Sequence, residues 1–180
     1  MDWKKALVFV LLVGTGICPP LFAASPSRVR SLTGVETVQV VVEDLNRATQ
    51  KTGLQKEQIQ AVAEKFLLEH GLKVARGAGG TPVVYIRLSS VIGGDQAHAP
   101  VSFYLTVQVK QFARLTRVRT ATPVVLTPDD PPLLVTTWED GAMVMLDRQE
   151  LGFYVSQVLA NVLGVLVQDY QEANGKEGAS

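Results

Sequence analysis

The side chains best suited to chemistry are four basic residues that lie close together near the middle of the chain. They are Lys110, Arg114, Arg117 and Arg119, and no acidic residue lies among them. Clustered ammonium and guanidinium groups bind phosphate and carboxylate groups, so the pattern favours an anionic lipid, a polyanionic polysaccharide or an acidic protein surface as ligand. Charged residues on a strand also protect a sheet edge from aggregation, and this is the more common reason for such a pattern.

Residues for catalysis or metal binding are sparse. The two histidines, His70 and His98, are not part of an HExxH pattern or of a zinc-ligand set. No serine stands in a Gly-x-Ser-x-Gly elbow. Adjacent carboxylates on a strand point to opposite faces, so the three acidic pairs do not converge on a cation. We therefore predict that the chain is not an enzyme and has no metal and no cofactor. The three pairs are Glu43-Asp44, Asp129-Asp130 and Glu139-Asp140.

The composition excludes a general attraction to polyanions. The 180 residues include 17 basic and 17 acidic side chains, so the formal net charge is zero and no binding to nucleic acid is expected. A chain of this length can form a single domain with a core that needs neither disulfides nor metal.

The N-terminal residues 1–24 have the layout of a secretory signal peptide. Lys4 and Lys5 precede an apolar run, and the small pair Ala23-Ala24 follows it, so we predict cleavage near Ala24. The apolar run is too short to span a bilayer comfortably, although an uncleaved anchor is the alternative. Lipidation of Cys18 is not expected, because Ile17 does not fit the Leu-small-small-Cys pattern. The mature protein is then periplasmic or secreted and has no transmembrane segment.

Alternating apolar and polar residues predict the strands. The longest alternation runs from Val101 to Arg119 and predicts a strand with one covered and one solvated face, which is typical of antiparallel sheets. Its register changes around Gln111 and Phe112, which predicts a β-bulge. Glu139-Asp140-Gly141 is a predicted turn. The other predicted strands lie at Val35–Asp44, Val83–Gly93 and Leu133–Trp138.

Apolar residues at three- and four-residue spacing predict two helices. The first contains Ile59 and Leu67 and ends at Gly71, and the second runs from about Arg148 to Glu172. The second helix has an apolar surface wider than one sheet face requires. That excess packs either against the first helix or against a partner protein. The residues predicted for such an interface are Phe153, Leu163 and Val167.

These elements predict a two-layer α+β sandwich. About four mainly antiparallel strands follow the order β-α-β-β-β-α, with both helices on one face of the sheet. The predicted organisation is a signal peptide (1–24), a polar leader (25–34), a single domain (35–173) and a disordered tail (174–180).

The element order resembles that of the lipopolysaccharide-assembly lipoprotein (LptE) and, more loosely, the TolB N-terminal domain. The closest local likeness is the segment VQVVVEDL followed by the helix that ends in EHGLKV. The resemblance implies a non-enzymatic bacterial envelope protein that assists binding or assembly, with another protein or a glycolipid as partner. The alternative is a periplasmic small-molecule-binding module. The oligomeric state is left open by the sequence.

Overall fold

The computed structural model describes residues 25–77, 80–94, 96, 98–113 and 132–175, and within them the protein forms one mixed sheet. The strands are β1 (Thr37–Val42), β2 (Lys73–Val74), β3 (Val83–Ile92), β4 (Pro100–Ala113) and β5 (Leu133–Asp147). Their spatial order is β2-β1-β3-β4-β5. The strand β1 is parallel to both of its neighbours, whereas β3, β4 and β5 are antiparallel. The sheet therefore has five strands and is mixed, not four mainly antiparallel strands as predicted.

In the described part of the chain, four helices accompany the sheet, two more than the sequence pattern predicts. They are α1 (Pro26–Arg30), α2 (Arg47–Gln50), α3 (Lys56–Glu69) and α4 (Leu151–Ala173), and a 3₁₀ turn (Arg148–Glu150) precedes α4. The two long helices are the predicted ones. Gly71 ends α3 at φ +88°, and the Leu72 amide donates to the Leu67 carbonyl, which is the expected left-handed helix cap.

The core lies between one face of the sheet and the helices α3 and α4. Alternate residues of the central strands point into it, among them Val40, Ile86 and Phe103. Leu67 of α3 and Leu163 of α4 are fully buried against them. Among the described residues, helices pack on this face alone, so we call it the covered face and the other the open face of the sheet.

The predicted turn Glu139-Asp140-Gly141 is wrong, because β5 continues through it to Asp147. A Cβ built at Gly141 would lie 2.6 Å from the carbonyl oxygen of Leu105 and 2.9 Å from the Thr106 methyl group. Gly141 is thus a point of close approach between two strands, which is a second common reason for glycine besides a turn. The connection between β3 and β4, in contrast, is the predicted hairpin.

The predicted β-bulge lies close to the expected place but in the other strand. The pairing of β4 with β5 shifts register between Val109 and Lys110, where Thr137 of β5 is the extra residue. The alternation of β4 itself is unbroken, so Phe112 stays on the open face and is half exposed.

The first described helix, α1, lies in the segment predicted as a polar leader. Val29 and Leu32 are buried, so the core begins before residue 35. At the other end of the chain, the Asn174 side chain accepts from the Gly34 amide at 2.9 Å and donates to the Leu32 carbonyl at 3.2 Å. Residues 1–24 and 176–180, with the predicted signal peptide, Cys18 and most of the predicted tail, lie outside the described residues.

Candidate functional site

Large apolar side chains are exposed together at one end of the open face. Val91 of β3 is 74% exposed, and Met143 and Met145 of β5 are 73% and 77% exposed. Tyr104 of β4 lies between them and is about half exposed. We call these four residues the open-face patch. Exposed apolar side chains are ordinary when scattered, but a contiguous group marks a binding surface.

The strand register explains why the four side chains are neighbours. Tyr104 lies directly opposite Met143, and Ser102 lies directly opposite both Met145 and Val91. Adjacent strands are about 4.8 Å apart, so the patch extends over three strands and two successive rows of outward side chains. Because the side chain of Ser102 is small, the surface is depressed between Val91 and Met145, and larger side chains surround this depression.

The opposite half of the open face combines charged and polar side chains with the half-exposed apolar residues Phe112 and Leu134. The Lys110 ammonium lies 3.6 Å from the centroid of the Tyr85 ring, in cation–π contact. The Glu43 carboxylate lies 3.2 Å from Arg87 Nε. Partial burial raises the pKa of Tyr85 above its usual value, and a hydrogen bond with Glu43 raises it further. Lys110 is therefore engaged with an aromatic ring, although its charge stays on the open face.

The rest of the predicted basic cluster lies outside the described residues. Arg114, Arg117 and Arg119 follow the end of β4 at Ala113, so only Lys110 of that cluster has a described position. The prediction of an anion-binding or partner-binding strand therefore stays a prediction.

Of the three residues predicted to form an interface on the last helix, only one is exposed. Phe153 is 68% exposed, whereas Leu163 and Val167 are buried in the core. Their side chains complete the contact of α4 with α3 and the sheet, so they present no surface to a partner in this fold. The wide apolar surface of α4 is explained mainly by packing within the chain.

A shallow depression of about 370 Å³ lies where α1 crosses β5. At its base, buried Trp138 donates from Nε1 to Asp169 Oδ2 at 2.7 Å, and Arg28 Nη2 lies 2.8 Å from the same oxygen. Asp140 Oδ2 lies 3.5 Å from Arg28 Nη1. Arg28 Nε is buried and has no hydrogen-bond partner among the described residues. The depression is lined by Ser27, Arg28, Thr136, Thr137, Trp138 and Glu139.

The other titratable side chains singled out in the sequence have ordinary surroundings. His70 ends α3, where its ring stacks on Phe66 with centroids 4.2 Å apart. His98 Nδ1 lies 3.6 Å from Asp147 Oδ2 at an exposed position. Lys56 donates to Asp44 at 2.7 Å, and this bond holds the pKa of Asp44 below its usual value. Within the described part of the chain, no three His, Cys, Asp or Glu residues lie close enough together to hold a metal ion.

The long last helix is apolar enough to be compared with a membrane span. The segment Arg148–Ala173 has a mean hydropathy of 1.5 over its most apolar window. The helix matches a membrane span in length and composition only, since nearly half of that window is buried inside the domain. Its buried residues form the contact with the sheet, which is the ordinary reason for an apolar core helix.

Tyr104, Met143 and Met145 were not singled out by the sequence analysis. A signal for the methionines was available in the run Ala142–Leu146, where five consecutive apolar residues occupy both faces of one strand. The predicted turn at Gly141 separated this run from the rest of β5. The role of Arg28 had no sequence signal, because its partner Asp169 lies 141 positions further along the chain.

No family model matches the chain, and no curated protein matches it. Among solved structures, the chain is similar to a PelC dodecamer from Paraburkholderia phytofirmans, with 10% identity and a TM-score of 0.47, over 74% of this chain and 89% of that one. It is also similar to a minor lipoprotein from Acinetobacter baumannii, with 8% identity and a TM-score of 0.35, over 78% and 93%. Both TM-scores are below 0.5, so neither likeness carries an argument about this chain's activity or partners.

Proposed function

We propose that the protein is an exported, non-enzymatic accessory factor of a bacterial envelope that binds a partner protein on its open-face patch. The observation that carries the proposal is the grouping of Val91, Tyr104, Met143 and Met145 on an uncovered sheet face. Tyr and Met are enriched in the buried centres of protein interfaces. The residues 1–24, with their lysines and apolar run, support export of the chain.

A protein fits this surface better than a glycolipid does. The patch is a shallow surface with one phenol, two thioethers and small serines between them, and it matches another folded surface in shape and polarity. Acyl chains need a deep apolar cavity, and the open-face patch is not one. The glycolipid alternative depends on Arg114, Arg117 and Arg119, which lie outside the described residues.

Site-specific photocrosslinking in intact cells tests the proposal. A photoreactive phenylalanine analogue replaces Tyr104 in one variant and Gln157 in the control, because Gln157 is exposed on the polar side of α4. We expect one adduct of defined mass from position 104 and none from position 157, with the partner identified by mass spectrometry. The same adducts from both positions, or none from position 104, would overturn the proposal.

The alternative, a small-molecule-binding module, has one observation in its favour. The depression beside Arg28 is within the volume range of small-ligand sites, and the buried Arg28 Nε is an unused donor there. Trp138 forms part of its lining, and the chain's other tryptophan is Trp3. A ligand in the depression would change Trp138 fluorescence and raise the melting temperature, and Arg28→Lys would abolish both effects. A metabolite panel that changes neither quantity excludes this alternative.

A further inference from the structure

The two edges of the sheet differ in how they are protected. One edge strand, β2, has only two residues, and short edge strands offer little to pair with. The other edge strand, β5, has 15 residues, and among the described residues only β4 pairs with it. Its run Ala142–Leu146 contains no charge and no proline. A long apolar edge of this kind is a template for another strand.

The connection between β4 and β5 is too short to cover the whole of this run. The 18 residues 114–131 are anchored at Ala113 and Pro132, at the far end of β5. A chain of that length reaches out and back over about 30 Å at full extension. Met145 lies twelve residues along β5 from Leu133, a distance of about 40 Å. The partner for this half of the edge must come from elsewhere.

We infer that a second copy of this chain pairs with the edge, with β5 antiparallel to β5 of the other copy about a two-fold axis at Val144. This inference goes beyond the proposed function and does not depend on it. The two five-stranded sheets then form one continuous sheet, with both open faces on the same side. The interface is isologous, as in most homodimers.

The charges in β5 select this register. With the axis at Val144, Met143 lies opposite Met145 of the second copy, and Asp147 lies opposite Gly141, so no like charges meet. With the axis one residue earlier, at Met143, Asp147 lies opposite Glu139 of the second copy, and carboxylates directly opposite each other destabilise a sheet. An axis one residue later, at Met145, shortens the pairing because β5 ends at Asp147.

The apolar side chains on both faces of the edge lose part of their exposure in this arrangement. On the open face, each Met143 packs against Met145 of the other copy. On the covered face, Ala142, Val144 and Leu146 are only partly buried at the rim of the core, and the second copy extends that core. The strand pairing and these side chains bury on the order of 1,000 Å², which is the lower range for specific interfaces. A reversible, concentration-dependent dimer is therefore expected.

Sedimentation velocity of the purified protein over a wide concentration range tests the pairing. The double variant Met143→Lys, Met145→Lys places lysines opposite one another at two symmetric positions, and we expect the dissociation constant to rise roughly a hundredfold. Both methionines are highly exposed in the monomer, so the melting temperature measured well below the dissociation constant of the wild type stays unchanged. The matched control is Val91→Lys, which is equally exposed on the same face but two strands from the edge and should dimerise like the wild type. A wild type that is monomeric throughout, or a double variant that dimerises normally, overturns the inference.

Cysteine crosslinking in a Cys18→Ser background tests the register. Val144→Cys should form a disulfide-linked dimer on mild oxidation, because a residue on the axis faces its own copy at a distance that a disulfide spans. Met143→Cys should not crosslink to itself but should crosslink to Met145→Cys when the two variants are mixed. Self-crosslinking of Met143→Cys as fast as that of Val144→Cys contradicts the Val144 axis.

Residues 1–24 are the other candidate to occupy the β5 edge. The intact mass of the purified chain shows whether these residues are present. Residues 1–24 precede α1 and are long enough to reach the edge. If only chains that retain residues 1–24 associate, these residues hold the copies together and the inference is wrong. Dimerisation of chains that begin near Ser25 supports it. Loss of the Tyr104 photoadduct would leave the dimer intact, so the two proposals fail separately.

Discussion

The indole of Trp138 and the carboxylate of Asp169 form a buried hydrogen bond of 2.7 Å, and the same carboxylate neutralises Arg28. Asp169→Ala leaves the indole N–H without an acceptor and the guanidinium with a weaker partner. We expect a loss of about 3 kcal/mol in the free energy of unfolding, measured by urea denaturation. Asp169→Asn, which keeps an acceptor but removes the charge, should give an intermediate loss. Glu172→Ala, at an exposed position in the same helix, is the control, and an equal effect of both alanine variants would contradict this role.

Gly141→Ala should destabilise the sheet. The new Cβ would lie 2.6 Å from the Leu105 carbonyl oxygen, so the two strands must separate locally. We expect a loss of about 1–3 kcal/mol, as for other overpacked sites, together with faster amide exchange along β5. Gly152→Ala in α4 is the matched control. A Cβ there meets no atom within 4 Å, and the helix gains up to about 1 kcal/mol from alanine. Equal stability of both variants would show that β5 adapts to a side chain at 141.

Asn174→Ala should loosen the N-terminal segment from a position at the other end of the chain. The Asn174 side chain bonds to the Gly34 amide and to the carbonyls of Leu32 and Tyr170. Loss of these bonds should cost about 1–2 kcal/mol and increase amide exchange near Leu32. The control Asn161→Ala lies on the exposed side of α4 and should be neutral or stabilising by a few tenths of a kcal/mol, approximately the difference in helix propensity. Unchanged amide exchange near Leu32 in Asn174→Ala would contradict the role of these hydrogen bonds in holding the N-terminal segment.

Tyr85 should ionise at a higher pH than an ordinary tyrosine. Partial burial and the hydrogen bond with Glu43 raise its pKa above 10.0. Below pH 10 the Tyr85 phenol is neutral in both the folded and the unfolded state. Above it the unfolded chain ionises first, so stability falls as the pH rises through the raised pKa. The check is an ultraviolet titration of phenolate in the wild type, from which that of Tyr85→Phe is subtracted. A difference midpoint at or below 10 contradicts the prediction.

Local signals in the sequence were sufficient for α3, for the hairpin of β3 and β4, and for α4. In these elements the periodicity and a cap such as Gly71 act within a few residues, so tertiary contacts do not alter them. The predicted turn at Gly141 was wrong because glycine has two roles with the same sequence signature. It can end a strand, or it can let two strands approach closely. The burial of α1 was missed because Asp169, the partner of Arg28, lies 141 residues further along the chain. The open-face patch depends on the register of three strands, which no single strand's alternation specifies.

The contact between α1 and the end of α4 has a consequence for the order of folding. Leu32 and Arg28 each make contacts with residues 169–174, which are synthesised about 140 residues later. Until then the first residues of the domain lack their contacts with residues 169–174, and closing such a long loop is slow. The core of the domain is therefore completed only after residues 169–174 have been synthesised. The N-terminal residues of the domain are then synthesised first but are among the last to reach their native contacts.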